Sequence, residues 1–336
     1  MNKKWEYYEK DEEAVKKVQE EFGLSRLLST IIVNKGLKTK QEIEVFLNPT
    51  RNDFHDPYLM PDMQIAVDRI VQAIENQEKV IIYGDYDVDG ITSITVLKQF
   101  LADRGLKVDS YIPNRLDEGY GLNKAAIDKI VSEKYQLMIT VDCGISGIEE
   151  IDYANSLGLE TIVTDHHEPT EVLPKALAVV DAKRKDNKYP FNQLAGVGVV
   201  FKLTQAISKV YNLDEKEYLK YLDIVCVGTI SDIVPLVDEN RVITKLGLKL
   251  VEVTKNVGLK ALLNAIGYKK IDSSAISFGV APRINACGRM GHEQDALQLF
   301  LTGNIVEATN ISKKLNDFNK QRQDIEKRFL KKFYIK

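Results

Sequence analysis

Three cysteines in 336 residues argue against a disulfide framework. Cys143, Cys226 and Cys287 are odd in number and far apart. None belongs to a CxxC pair, so a zinc–thiolate site is not indicated either. No apolar run approaches the roughly 18 residues that a membrane helix needs. The opening stretch MNKKWEYYEKDEEAVKK is charged where a signal segment would be apolar. Internal repeats and low-complexity tracts are missing as well. What remains is a soluble protein, expected in the cytoplasm and off the membrane. Hydrophobic residues make up 44% of the chain and charged residues 28%, enough for a packed core. The length admits one large domain or two ordinary ones.

Charge is nearly balanced over the whole chain, at −3, but not along it. Residues 241–336 hold 18 Lys and Arg against 8 Asp and Glu, a net of +10; residues 1–240 hold 28 against 41, a net of −13. A basic third beside an acidic remainder suits a polyanion next to a carboxylate-rich centre, although a solvated Lys-rich helical face has the same composition.

Residues 1–75 read as a helical segment, with turn signals in NPTRNDFHDPYLMPD. From about 79 the pattern changes. Short apolar runs (KVIIYG, KVDSYIP, LMITVD, ETIVTD, LAVVD) alternate with amphipathic stretches (ITSITVLKQFLADRG, NKAAIDKIVSEK, SGIEEIDYANSLG). This is the βαβ signature of a parallel sheet with helices on both faces. The expected fold is therefore α/β, with its core over 76–240 and a helical extension over 241–304. The candidate helices after Gly196 are 196–211, 214–230, 241–252, 257–267, 274–281 and 292–301. A long connecting helix follows in 305–336, where Ile311, Leu315, Phe318, Ile325 and Phe329 recur at helical spacing.

Ligands of open parallel sheets bind beyond the carboxyl ends of the strands. Asp85, Asp87 and Asp89 lie past one such end, Asp142 past a second, and Asp165, His166 and His167 past a third; Asp232 joins them from the helical region. Taken singly, Asp142 suits a helix cap, Asp89 before Gly90 suits a turn, and paired histidines occur in loops. Three strand ends carrying D-x-D-x-D, D and D-H-H are hard to explain as independent caps. Carboxylates with imidazole and no thiolate select a hard or borderline divalent ion, Mn²⁺ or Mg²⁺ before Zn²⁺. Five or six ligands suit two ions roughly 3.5–4 Å apart, the arrangement that clamps an in-line displacement at phosphorus.

The stretches GDYDVDGITS, VDCGIS, VTDHHEP and GTISDIVPL resemble, in order, the four motifs of the DHH phosphoesterase superfamily. YIPNRLDEGYGL, LAGVGVVFKL and APRINACGRMG narrow the resemblance to the RecJ-type single-strand-specific 5′→3′ exonucleases, from about residue 22 to 330. The resemblance implies that Asp87, Asp89, Asp142, His166 and Asp232 hold metal, with Asp142 as the bridge. It makes Asp85 a ligand or an acid that orients the others, and His167 a contact to the scissile phosphate. Some relatives carry His where this chain has Tyr83, a poor ligand. The implied reaction is two-metal-ion phosphodiester hydrolysis of single-stranded DNA in repair and recombination, with Mn²⁺ first and Mg²⁺ as the alternative. Competing readings are a phosphodiesterase for short oligonucleotides or cyclic dinucleotides, and a DHH scaffold without turnover. RecJ enzymes continue into a DHHA1-type domain and usually an OB-fold. A separate polypeptide carrying those parts, or a single-strand-binding protein, is the expected partner.

Arg115 follows a strand at the same sheet edge, where its planar fork suits phosphate oxygens; a salt bridge to Asp117 or Glu118 is the local alternative. Arg283 and Arg289 flank Asn285 in what reads as a loop, and helix-end carbonyls compete for them. Gly144 and Ser146 offer backbone N–H groups at a helix start. The resemblance favours contacts to the substrate for all six. Packing is expected for Tyr111, Tyr120, Phe278, Cys143 and Cys287, and structural roles for His55 and His292.

Overall fold

Short runs of three to five residues, apolar except in the edge strand VDSY and at the start of ETIVT, form the strands of this protein, and the chain between them supplies the covering helices. The computed structural model describes residues 6–7, 11–115 and 117–334. The chain opens with α1 (Glu12–Phe22), α2 (Arg26–Asn34) and α3 (Lys40–Leu47), packed together around Val18, Ile32 and Ile43. Their starts are set by side chains that take up orphan N–H groups: Asp11, Ser25 and a Thr39–Glu42 capping box.

After α4 (Met63–Asn76) comes the alternating region: β1 (Val80–Gly84), α5 (Val88–Ala102), β2 (Val108–Tyr111), α6 (Lys124–Ser132), β3 (Leu137–Val141), α7 (Ile148–Ser156), β4 (Glu160–Thr164) and β5 (Ala178–Val180). All five strands are parallel, in the order β2-β1-β3-β4-β5. Alternation divides β1 between two cores. Val80 and Ile82 join the cluster that contains α4 and α5, whereas Ile81 and Tyr83 join the one made with α6 and α7. The chain leaves β1 towards β2 on one side and returns to β3 on the other. The crevice at the strand ends between β1 and β3 is therefore the switch point where such sheets bind ligands.

The remainder is helical: α8 (Gly196–Val210), α9 (Lys216–Leu219), α10 (Leu222–Ser231), α11 (Asp238–Glu252), α12 (Val257–Ile266), α13 (Ala281–Arg289), α14 (Glu293–Leu301) and α15 (Ile305–Tyr334). Four expectations need correction. The single helix over 214–230 is two, broken at Lys220 and Tyr221, whose Nζ and hydroxyl both donate to Asp103 at 2.7 and 2.8 Å. The helix at 274–281 is a π-helical turn, Ala275–Val280, that runs on into α13. The supposed loop carrying Arg283, Asn285 and Arg289 is α13 itself. Pro282 sits in its first turn, and the buried Ala286, Cys287 and Gly288 allow close packing. The π-turn turns Phe278 outwards, 75% exposed, so Phe278 is not a core residue.

The long helix is continuous, but only its first half is packed. Ala308, Ile311 and Leu315 are buried and Phe318 partly so, whereas Ile325 and Phe329 are exposed. Among the described residues no helix is long and apolar enough to cross a membrane.

Candidate metal centre

The acids of the first motif sit where β1 hands over to α5. Asp87 caps α5, its Oδ1 accepting from the N–H groups of Asp89 (2.9 Å) and Gly90 (3.0 Å). Asp89 points across to the start of α8, where Gly196 and Val197 donate to its two oxygens at 2.6 and 2.8 Å. A helix N-terminus favours a carboxylate there. Gly196 also allows Asp142 in: a Cβ at position 196 would stand 2.8 Å from the Asp142 carboxylate. Asp142 follows β3 with φ +58°, a left-handed conformation that Asp tolerates better than most residues.

Past β4, Asp165 binds its own neighbourhood together. One oxygen accepts from the N–H groups of His166 (2.7 Å) and His167 (3.2 Å) and from His167 Nδ1 (2.7 Å); the other accepts from Ile145 N–H (2.9 Å). Asp232 closes the ring from the C-terminus of α10.

These groups converge. His166 Nε2 lies 3.1 Å from Asp142 Oδ1 and 3.7 Å from Asp89 Oδ2, and His166 Nδ1 lies 3.7 Å from Asp232 Oδ2. Ligand atoms of Asp85, Asp87 and Asp142 fall within 4.8 Å of one another; so do those of Asp89, His166 and Asp232, and those of Asp142, His166 and His167. Asp142 and His166 each belong to two sets.

The electrostatics follow from burial. Burial, then the Asp87 charge, lifts Asp85 and Asp89 to about 7. Burial, then Asp89, lifts Asp232 to about 7 and Asp142 well above the usual carboxylate range. Burial depresses His166. Asp165 is the exception: burial acts upwards, but the His167 hydrogen bond and charge and the backbone donors outweigh it, and its pKa falls. His167 is raised chiefly by that same hydrogen bond. Among the described residues two buried polar atoms of this centre, Asp85 Oδ1 and His166 Nε2, have no hydrogen-bond partner, although His166 Nε2 stands 3.1 Å from Asp142 Oδ1. Carboxylates held above their normal pKa, orphaned ligand atoms and an all-oxygen-and-imidazole donor set together fit divalent cations.

Arg115 is exposed and forms no ion pair among the described residues. Its guanidinium stands 5.0 Å from the Tyr86 ring and opposes, without overcoming, the rise of the Asp85 carboxyl. Glu118 is taken by Tyr111, Asn114 and Asn123 instead. Gly144 and Ser146 line a cavity of about 330 Å³ with Tyr120, Asp165 and His167. Asn285 Oδ1 accepts from Val88 N–H at 3.3 Å, which brings α13 onto the first motif. Arg289 is exposed in a groove of about 560 Å³ beside Asn285 and Phe278. Arg283 lies apart, donating to Gly279 O (2.8 Å) and Asn316 Oδ1 (3.0 Å) and tying α13 to α15.

Tyr83 turns away from the cluster, stacks on Tyr111 and donates to Gly121 O at 2.9 Å. His55 binds Asp238, and His292 stacks on Phe318. Sequence reasoning missed the α8 N–H donors and the four-donor role of Asp165. The glycine-rich LAGVGVV was the available signal for the first and the D-H-H order for the second.

The sheet edge and its acid–imidazole ring define a class, and residues 79–229 match its description, the DHH family, N-terminal domain. The chain belongs to the RecJ family of DHH proteins. It is 40% identical over 322 residues to the single-stranded-DNA-specific exonuclease RecJ of Bacillus subtilis, covering 95% of this chain and 40% of that protein. It is 33% identical over 323 residues to that of Escherichia coli, covering 90% and 54%. Among solved structures, a manganese-bound exonuclease RecJ matches with TM-score 0.76 at 36% identity, covering 81% of this chain and 69% of that one. RecJ of Thermus thermophilus in complex with Mn²⁺ matches with TM-score 0.82 at 30% identity, covering 96% and 46%. The chain thus spans about half the length of these curated relatives.

Proposed function

We propose that this chain hydrolyses phosphodiester bonds of single-stranded DNA from the 5′ end, using two divalent cations, Mn²⁺ first and Mg²⁺ as the alternative. The observation that carries the reading is the 3.1 Å contact of His166 with Asp142, which joins two ligand sets into one centre. Asp85, Asp87 and Asp142 would hold one ion and Asp89, His166 and Asp232 the other, with Asp142 between them. Bound there, the ions would lower the pKa of water and offset charge on the phosphoryl oxygens.

The side chains supply the rest. Asp165 fixes His167 through Nδ1, which leaves Nε2 to meet a phosphoryl oxygen. Arg115 and Arg289 offer exposed guanidinium groups to the strand, Asn285 a side chain at the first motif, and Gly144 and Ser146 the approach to α7. Arg283 has the least room for such a contact, its guanidinium already spent on the π-helical turn and α15.

The relatives, single-stranded-DNA-specific exonucleases by name, support single-stranded DNA as substrate, and repair and recombination are the setting we infer. A cytoplasmic location suits three buried, unpaired thiols. A partner carrying DHHA1 and OB-fold parts, or a single-strand-binding protein, belongs to the same proposal.

The test is hydrolysis of a 5′-phosphorylated, 3′-labelled single strand in Mn²⁺, with Asp142→Ala beside the unaltered chain. Loss of nucleotides from the 5′ end, abolished by the substitution, is expected. Bound Mn²⁺ without turnover on strands, dinucleotides or cyclic dinucleotides would sink the enzymatic reading for this chain.

A further inference from the structure

The segment between β2 and α6 holds a tyrosine in an unusual setting. Tyr120 stands between Gly119 and Gly121, both with φ +81°, a conformation that costs glycine little and other residues more. These two left-handed positions lift the intervening side chain out of the loop.

The loop itself is fastened from below. Tyr83 donates to Gly121 O (2.9 Å), and Asn123 donates to the Tyr83 hydroxyl (3.3 Å) and to Glu118 (3.2 Å). Tyr111 donates to the same Glu118 oxygen (2.6 Å), and Asn114 N–H to the other (2.7 Å). Position 83, which offers no ligand to the centre, thus anchors the loop that borders it. Polar groups of β1, β2 and the start of α6 all serve to hold one loop still.

What the loop presents is the Tyr120 side chain, 53% exposed yet fixed over the site. Its ring meets His167 edge-on at 6.3 Å and Tyr86 at 6.5 Å. Its hydroxyl lies 3.5 Å from His167 Nε2. Because Asp165 engages Nδ1, Nε2 is the nitrogen left to face the cavity that Tyr120 lines with Gly144, Ile145 and Ser146. A distance of 3.5 Å is long for a hydrogen bond. At that length neither group is strongly engaged by the other, and both face the same cavity.

We infer that Tyr120 is a substrate-positioning residue, whose hydroxyl donates to the same phosphoryl oxygen that His167 Nε2 meets. This rests on the phosphodiesterase reading above and adds to it a neutral donor beside the imidazole, carried by the loop that Tyr83 anchors.

The experiment compares the full chain with Tyr120→Phe, which keeps the ring and removes the hydroxyl, in both the parent and the His167→Ala backgrounds. Hydrolysis of single-stranded DNA in Mn²⁺ is read beside equilibrium binding of an oligonucleotide with a non-hydrolysable methylenephosphonate at its first linkage. Tyr120→Phe is expected to lower kcat/KM about 10- to 100-fold in the parent, the range of a lost hydrogen bond to a charged group, with an unchanged Mn²⁺-binding midpoint. In the His167→Ala background it is expected to cost less than about threefold, because the two groups share one oxygen. Equal activity of Tyr120→Phe and parent would overturn the inference, and so would fully independent losses. If no strand is cleaved, the enzymatic reading fails and binding decides. Weaker retention by Tyr120→Phe then supports the role of the hydroxyl, and equal retention, or no retention by the parent, refutes it.

Discussion

Two places in this molecule bury charge, and they do so in opposite ways. Beneath α8 and α11, Lys202 and Glu239 are both fully buried, and every formal charge there has its partner. Lys202 Nζ donates to Glu239 (2.9 Å) and to His55 O (2.6 Å). Tyr189 and His55 N–H donate to the remaining Glu239 positions. At the sheet edge, Asp85, Asp89, Asp142 and Asp232 are packed together with one depressed imidazole and, among the described residues, no buried Lys or Arg. The first cluster is closed electrostatically; the second is complete only when positive charge arrives from outside. Buried charge is therefore no sign of function in itself. An internal surplus of one sign is.

The comparison can be broken at either end. The largest effect is expected from Asp142→Ala, which removes the acid shared by two ligand sets. Hydrolysis should fall about 10³-fold or more, while the metal-free protein changes little in melting, the loss of one uncompensated carboxyl offsetting the strain of Ala at φ +58°. Parallel activity and melting assays check this.

Glu239→Ala should do the reverse. It leaves Lys202 buried and alone, so urea denaturation should show a loss of about 3–5 kcal/mol, while Mn²⁺ affinity per folded molecule is unchanged.

Adding Mn²⁺ to a hundred times its dissociation constant should stabilise the parent by about 2.7 kcal/mol. The same addition should do little for Asp142→Ala. Equal stabilisation of the two proteins would place the ion elsewhere.

A further effect is a slope with pH in chelator. Asp85, Asp89 and Asp232 titrate near 7 in the fold but at about 4 when unfolded. Between these values the folded state holds more protons, so metal-free stability should fall as pH rises from about 4 to 7. Saturating Mn²⁺ should flatten or reverse this slope, and denaturation midpoints across the range would show it.

The alternation of apolar runs and amphipathic stretches made the parallel sheet legible, and acids immediately past each run made its working edge legible. Faces were harder to read. VIIYG is apolar on both sides because both sides are covered, so nothing local said that Tyr83 points away from the acids. α13 escaped because Pro282 and Gly288 depress helix propensity, while packing against Tyr86 and α15 supplies what propensity does not. Lys202 and Glu239 are 37 positions apart, and no periodicity links them. Tyr120 looked like any aromatic until the flanking glycines and the His167 ring gave it a direction.

The pairing of Asp89 with the first N–H groups of α8 spans 107 and 108 positions of chain. At a synthesis rate of about 5–20 residues per second, these donors emerge roughly 5–20 s after the acid they serve. Until then the motif is best left hydrated on a nascent β1–α5 unit. Docking of α8 is thus the event that draws Asp89 out of water, and the centre is complete only when α10 has brought Asp232 to it as well.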